Sequence, residues 1–126
     1  MKYGNAETKY HNKKIRHGDE VFDSQHELHR WLELILLQRA GKITDLRRQV
    51  KYELVPAQRE PDQYGIHGGL RKRGKVIEKP VSYAADFVYK ENGETVVEDA
   101  KGARTDKYII KRKLMLWVHG IRVREV

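Results

Sequence analysis

Two aspartates and a lysine have the residue types and the spacing that phosphodiester chemistry uses. Asp86, Asp99 and Lys101 lie on two β-rich segments that are separated by Asn92-Gly93. Asn-Gly between two such segments predicts a type I′ hairpin with a two-residue turn. Residues equidistant from that turn oppose each other, so we expect Asp86 to face Asp99 across the hairpin. Lys101 lies two residues beyond Asp99 and therefore on the same face of the strand.

Two directly opposed carboxylates destabilise a sheet unless their charge is compensated. Apolar neighbours indicate that this strand pair is largely buried, and they are Phe87, Val88, Val96 and Val97. Mg²⁺ takes oxygen ligands, keeps several waters and is typically held by one or two carboxylates together with a substrate phosphate. A neighbouring lysine can orient the attacking water and stabilise charge on the phosphate. The pattern predicts a phosphodiester-cleaving site, and the alternative is a surface hairpin with solvated acids and a salt-bridged lysine.

The elements that would position these residues follow from helix caps, turns and hydrophobic periodicity. Ser24-x-x-Glu27 is typical of a capping box and begins a helix that Gly41 ends. Thr105 is a candidate N-cap for a second helix, which runs to about His119 and has an apolar stripe at Ile110, Leu114, Trp117 and Val118. We expect Trp31 and Trp117 to be core residues. Strands are predicted over residues 45–55, 81–91, 94–101 and 121–126.

The segment from Pro56 to Pro80 differs from the rest of the chain. It holds all three prolines, four of the ten glycines and a basic run. It is predicted to be a flexible basic loop that could contain a short hairpin. The basic run is a candidate contact for nucleic-acid phosphates, with a solvated charged loop as the alternative, and its residues are Arg71, Lys72, Arg73 and Lys75.

Other polar residues are weaker candidates for the same site. Glu27 is either an additional ligand or only the acid of the helix cap. Gln49, on the first predicted strand, is site-adjacent if its side chain points inward, and the alternative is a glutamine satisfied in the core or at the sheet edge. Glu98 points to the opposite face of the hairpin from Asp99. Three cations near the start of the second helix are candidate phosphate contacts, with a solvated basic face as the alternative, and they are Arg104, Lys107 and Lys111.

Composition limits the classes of protein that this chain can represent. The 126 residues suit a single domain spanning 1–126, with a basic N-terminal arm over residues 1–20. There are 26 Lys and Arg residues against 18 Asp and Glu, so the net charge of +8 favours a polyanionic partner such as nucleic acid. The chain has no cysteine, which excludes disulfides and thiolate metal sites and fits a reducing cytosol. We expect no membrane-spanning segment, because the apolar runs are too short.

The residues around the candidate site resemble the PD-(D/E)XK nuclease superfamily. The resemblance rests on Tyr83–Tyr89, which contains Asp86, and on Val96–Gly102, which contains Asp99 and Lys101. Small phage-borne proteins of that superfamily are similar also at Lys2–Asn5 and at Phe22–Glu27. The resemblance covers nearly the whole chain except the segment from Pro56 to Pro80. Ala85 stands where the motif's name has proline, a position that the superfamily keeps loosely.

The resemblance implies an α/β fold with a restriction-endonuclease-like core, in which a mixed sheet is flanked by helices in the order α-β-β-β-α-β. It implies that Asp86, Asp99 and the Ala100 carbonyl hold Mg²⁺, which Mn²⁺ can replace, that Glu27 adds to this set, and that Lys101 positions the attacking water. The implied activity is that of an endodeoxyribonuclease on branched or junction DNA, as in Holliday-junction resolvases.

The same resemblance implies a cytoplasmic location, in the host cell if the chain is phage-encoded. It also admits a homodimer, since two sites would cut two strands. Two alternatives stay open, namely a non-catalytic DNA-binding protein that uses the same positive surface, and an RNA-cleaving member of the superfamily.

Overall fold

The sheet of this protein is mixed, and two helices accompany it within the residues described. The computed structural model of the chain describes residues 14–101 and 103–126. Its elements in chain order are β1 (Ile15–His17), β2 (Glu20–Phe22), α1 (Gln25–Arg39), β3 (Thr44–Val55), β4 (Gln58–Arg59), β5 (Gln63–Tyr64), β6 (Leu70–Lys72), β7 (Val76–Glu78), β8 (Val81–Glu91), β9 (Glu94–Asp99), α2 (Asp106–His119) and β10 (Arg124–Glu125).

The main sheet has four strands in the order β10-β9-β8-β3. Strands β8 and β9 are antiparallel, whereas β10 runs parallel to β9. The mixed α/β class and the predicted order of the main elements are therefore confirmed. Of the sequence features used above, Lys2–Asn5, Gly102 and most of the N-terminal arm lie outside the described residues, while β1 and β2 form an antiparallel hairpin at the end of that arm.

Both helices begin and end where local sequence signals predict. Ser24 caps α1 by accepting a hydrogen bond from the Glu27 amide at 3.1 Å, and Thr105 does the same for α2 at the Tyr108 amide. Gly120 ends α2 in the left-handed region at φ 68°, a conformation that glycine adopts without a Cβ penalty. These caps fix where each helix begins and where α2 ends.

The β8–β9 hairpin has the predicted turn and register. Asn92 and Gly93 both have positive φ, 53° and 81°, as a type I′ turn requires. The ladder pairs Glu91 with Glu94 and continues to Phe87 opposite Glu98. Asp86 and Asp99 are the next residues along the two strands, just beyond the last pair of the ladder.

The chain forms two compact units. The first comprises the described residues up to Val50, together with Ala85–Arg104 and Val123–Val126. Its core contains Leu34 and Ile43 with two aromatic residues of β8, Phe87 and Tyr89, and the ring of Trp31 stacks on that of Phe87 at 6.0 Å between centroids. The predicted core position of Trp31 is thus consistent with its packing, although the residue is half-buried.

The second unit comprises Lys51–Ala84 and Thr105–Arg122. It buries Leu54, Tyr83, Tyr108 and Met115, and the rings of Tyr83 and Tyr108 lie 6.4 Å apart. Helix α2 therefore buries the face that carries Tyr108 and Met115, and the predicted stripe is wrong. Trp117 is 85% exposed. The helix has apolar residues on more than one face, so periodicity alone does not determine which face is covered.

Residues 56–80 are more regular than the sequence predicts. Strand β4 pairs with β7 and strand β5 pairs with β6, both antiparallel, so this segment consists of two β-ribbons in series. We call residues 56–80 the arm, and this name does not refer to the N-terminal residues 1–20. Each of its strands is only two or three residues long, which is too short for the alternation of apolar and polar residues to show in the sequence.

Candidate functional site

Asp86 and Asp99 lie at the open end of the β8–β9 ladder within the first unit. The Oδ2 of Asp86 accepts a hydrogen bond from the Ala100 amide at 2.8 Å, which ties the carboxylate of one strand to the backbone of the other. The carboxylate of Asp99 is almost wholly buried, and that of Asp86 is half-buried. The hairpin therefore brings together the two acids that the sequence singled out.

Lys101 completes the predicted trio. Its Nζ lies 3.0 Å from the Oδ1 of Asp99, and its side chain is about one-third exposed, at 31%. The ammonium group thus compensates the charge of a buried carboxylate and still reaches solvent. A cation in this position could interact with an anionic ligand that approaches the two aspartates.

The electrostatic environment of Asp86 differs from that of a surface acid. Burial, followed by repulsion from Asp99 and by the nearby Glu27 carboxyl group, raises the pKa of Asp86 to about 8. The hydrogen bond from the Ala100 amide opposes this increase. A carboxyl group with its pKa raised by burial and a like charge is a common feature of functional sites. A divalent cation bound beside Asp86 would offset both its burial and its repulsion from Asp99.

Glu27 is held by Arg48, which is not among the residues predicted for the site. One Nη of Arg48 lies 3.2 Å from the Oε1 of Glu27, and the other lies 3.0 Å from the Oε1 of Glu20. The guanidinium group lies over the Phe22 ring, 3.9 Å from its centroid, and the Arg48 side chain is 12% exposed. Glu27 also accepts a hydrogen bond from the Asp23 amide at 3.3 Å. The ion pair and the hydrogen bond offset the cost of burying the Glu27 carboxyl group.

A sequence signal for Arg48 did exist. In β3 the residues at alternate positions, from Leu46 through Val50 to Leu54, are half-buried or buried, and Arg48 occupies one of these inward positions. A charged residue at an inward strand position needs a buried partner of opposite charge. The partner could not be named from the sequence, because Glu27 and Arg48 belong to different elements.

Gln49 contacts the site through an unusual backbone conformation. Its Nε2 donates to the Oδ1 of Asp86 at 3.3 Å, so the structure places Gln49 beside the two acids. Gln49 has φ 52°, in the left-handed region, within strand β3. A non-glycine residue in this region costs roughly 1–3 kcal/mol, and such residues cluster at functional sites. The strain is consistent with a requirement to orient the amide toward Asp86.

Glu98 belongs to a separate ionic cluster. Its carboxylate is fully buried and is bound by Arg30 through two hydrogen bonds of 2.8 and 2.7 Å, and it also accepts from the Tyr89 hydroxyl. Arg124 donates to the same hydroxyl at 3.2 Å. Burial and then the hydrogen bond to Glu98 raise the pKa of Tyr89 to about 12. Glu98 is thus satisfied as an internal ion pair, apart from Asp86 and Asp99.

The predicted phosphate-contacting cations occupy different surroundings. The four residues of the basic run, Arg71 to Lys75, are exposed on the arm. Arg104 is paired with Glu125 at 2.7 Å in the first unit. On α2, Lys107 is exposed and Lys111 is half-buried. The basic run and Lys107 are therefore exposed, Arg104 is exposed but ion-paired, and Lys111 is only partly accessible.

The number of available ligands limits the metal that this site could take. Within residues 14–101 and 103–126, no three His, Cys, Asp or Glu side chains are grouped so that they could hold one ion together. Asp86 and Asp99 form a two-carboxylate set instead, and this set suits Mg²⁺, which retains several waters and needs few protein ligands. The predicted ligand role of the Ala100 carbonyl and of Glu27 stays a prediction.

Comparison with known proteins places the chain in a family. Residues 7–122 match the family described as "Protein of unknown function (DUF1064)". The chain belongs to this family. No curated protein and no solved structure gives a significant match to this DUF1064 protein. Neither helix within its described residues has the length and apolar character that crossing a membrane would require.

Proposed function

We propose that this DUF1064 protein is a metal-dependent endodeoxyribonuclease with a restriction-endonuclease-like core. The observation that carries the proposal is the pair of neighbouring carboxylates at the end of the hairpin, half-buried Asp86 and buried Asp99, with Lys101 beside them. Burial and mutual repulsion both raise the free energy of two ionised carboxylates, so this arrangement is unfavourable without a compensating ligand. A divalent cation is the simplest such ligand.

Within this proposal, Asp86 and Asp99 hold Mg²⁺, with the Ala100 carbonyl as a further ligand and Mn²⁺ as a substitute. The ion, when bound, supplies Lewis-acid stabilisation of phosphate charge and a more acidic water. Lys101 orients the attacking water and stabilises the negative charge that develops on the phosphate. Gln49 holds the carboxylate of Asp86 in position. Glu27, held in place by Arg48, contributes as a water-mediated ligand.

DNA is the proposed substrate, and branched or junction DNA is the proposed form of it. The net charge of +8 and the exposed basic run of the arm support a polyanionic partner. The preference for branched DNA rests on the resemblance to Holliday-junction resolvases, as does the proposed homodimer. A non-catalytic DNA-binding protein is the second candidate, favoured by the same basic run. The paired carboxylates of Asp86 and Asp99 weigh against it, because acids near a phosphate-binding surface weaken binding unless a cation lies between them.

The test is a cleavage assay with branched, duplex and single-stranded DNA and with RNA, each in Mg²⁺, in Mn²⁺ and in EDTA. We expect cleavage of DNA in either metal and none in EDTA, with the branched substrate cut fastest. Asp99→Asn should abolish cleavage. Glu94→Gln is the matched control, because it removes an exposed carboxylate from the same hairpin, and it should cut like the wild type. If no DNA is cut in either metal, the nuclease proposal fails, and cleavage of RNA alone would favour the RNA-cleaving alternative.

A further inference from the structure

The tip of the arm exposes a cluster of apolar side chains. Tyr64 and Leu70 are direct cross-strand partners in the β5–β6 ribbon, and they are 62% and 58% exposed. Ile66, in the loop that joins these strands, is 99% exposed. Directly paired residues project from the same face of a ribbon, so Tyr64 and Leu70 form an apolar platform beside Ile66. We call these three residues the arm tip.

The structure holds the arm tip in a defined conformation. The loop is closed by two backbone hydrogen bonds, from the Gly65 amide to the Gly69 carbonyl at 2.8 Å and from the Gly68 amide to the Gly65 carbonyl at 3.0 Å. Gly68 has φ 86°, which favours glycine. Ile66 is therefore presented on an ordered turn, and little conformational freedom remains to be lost when a partner binds it.

The two ribbons of the arm are joined by a tightly packed connection. The Gly74 amide donates to the Oδ1 of Asp62 at 2.6 Å, and its carbonyl accepts from Arg59 at 3.0 Å. A Cβ at position 74 would lie 1.7 Å from the Glu60 carbonyl oxygen, so only glycine fits. This packing makes the arm a stiff support for its tip.

The charge next to the arm tip is entirely positive. Between Gln63 and Lys75 the chain has four basic residues and no acidic one. All four basic side chains are exposed. An apolar tip beside a run of exposed cations matches the surface of DNA, in which apolar base faces lie between negatively charged backbones.

We propose that the arm tip is a wedge that enters an interrupted base stack in DNA, with Ile66 as the inserted side chain. β-Ribbons can enter a DNA groove, and apolar side chains of several DNA-bending proteins insert between base steps. Insertion requires unstacking, and this costs least where the stack is already broken by a bulge, a nick or a branch. Tyr64 would stack on the exposed base, and the basic run would bind the flanking phosphates. The inference rests on the proposed function only in taking DNA as the partner.

The experiment measures binding and unstacking in EDTA, so that cleavage does not interfere. One duplex carries a two-nucleotide bulge with 2-aminopurine beside it, and a second duplex is fully paired. Wild-type protein should bind the bulged duplex at least about ten-fold more tightly and raise the 2-aminopurine fluorescence as its base unstacks. Ile66→Ser should lose most of that preference and the fluorescence increase, while its affinity for the paired duplex changes by less than about two-fold.

Two variants make the test specific to the arm tip. Ile77→Ser makes the same substitution at a residue that is 62% exposed on the β7 strand of the arm but outside its tip, and it should behave like the wild type. Ile66→Leu keeps an apolar side chain and should retain both signals. Because Ile66 is fully exposed, its substitution is not expected to affect folding.

The outcomes separate this inference from the proposed function. If wild-type protein cuts DNA in Mg²⁺ but Ile66→Ser keeps the bulge preference and the fluorescence change, the wedge is wrong and the nuclease proposal stands. If both signals depend on Ile66 but no DNA is cut, the wedge stands and the nuclease proposal fails. Binding to vesicles of equal parts phosphatidylcholine and phosphatidylserine that depends on Ile66, without any Ile66 dependence on DNA, would assign the arm tip to a membrane surface and overturn the inference.

Discussion

Replacing Asp86 with asparagine in the absence of metal should stabilise the protein, and the gain should grow with pH. In EDTA the wild-type protein must either keep a proton on Asp86 or place a further negative charge beside Asp99 and Glu27. Asparagine has nearly the same shape, carries no charge and can still accept the hydrogen bond from the Ala100 amide. The substitution therefore removes the repulsion and retains the contact between the two strands.

The sign and size of the effect follow from the pKa of Asp86. Its pKa rises from an ordinary 3.8 to about 8 in the folded protein, so the folded state holds the proton more tightly than the unfolded chain does. The stability contributed by this proton is complete below about pH 4 and is lost as the pH rises toward 8. Each pH unit in that window corresponds to about 1.4 kcal/mol. Between pH 5 and pH 7 the full effect would be about 2.7 kcal/mol, and solvent access to the half-buried carboxylate reduces the expectation to about 1–2 kcal/mol.

The assay is urea denaturation in EDTA at several pH values from 5 to 8, with wild type, Asp86→Asn and Glu94→Gln. Glu94 is the matched control, because it also opposes a carboxylate, that of Glu91, but is exposed to solvent. The free energy of unfolding of Asp86→Asn should exceed that of wild type by an amount that increases with pH. The difference between Glu94→Gln and wild type should stay nearly constant. Added Mg²⁺ should then stabilise wild type more than Asp86→Asn, because the ion binds the folded carboxylate pair.

Two results would refute this reasoning. A difference between Asp86→Asn and wild type that does not change from pH 5 to pH 8 would mean that Asp86 is not strained by its neighbours. A variant clearly less stable than wild type at pH 7 in EDTA would mean that the Asp86 charge stabilises the fold. Either result would leave the carboxylate pair without a need for a cation.

Three further predictions test other parts of the site and of the surface. Lys101→Ala should lower the cleavage rate by about 10²–10³ while DNA affinity in EDTA stays within a few-fold, and equal cleavage by variant and wild type would disprove the assigned role of Lys101. Arg48→Met leaves Glu27 buried without its cation and should cost roughly 3–5 kcal/mol in urea denaturation, whereas Arg47→Met, at the exposed neighbouring position, should cost less than about 1 kcal/mol; similar losses would contradict the structural role of Arg48. Neutralising the four residues of the basic run should reduce the slope of log K against log salt by up to about one unit per lost phosphate contact, and an unchanged slope would assign the run to solvent.

Local sequence rules were sufficient to bring the candidate residues together. The Asn92-Gly93 turn fixes the register of one hairpin, and that register alone places Asp86 next to Asp99 and its neighbour Lys101. The caps at Ser24 and Thr105 and the left-handed Gly120 likewise fix the helix boundaries. Each of these features depends on interactions between residues only a few positions apart, so the local sequence predicts it without knowledge of the tertiary packing.

Tertiary packing decided what the sequence left open. The pairing of Arg48 with Glu27 joins a strand to a helix, and the left-handed backbone of Gln49 persists only because its surroundings hold it there. The exposure of Trp117 depends on which of the apolar faces of α2 meets Tyr83, and helical periodicity does not distinguish between those faces. The arm forms through pairs of strands too short to have a pattern of their own, and they are held by contacts such as that of Gly74 with Asp62. Sequence determined the residues at the candidate site, while packing between distant segments determined their electrostatic environment.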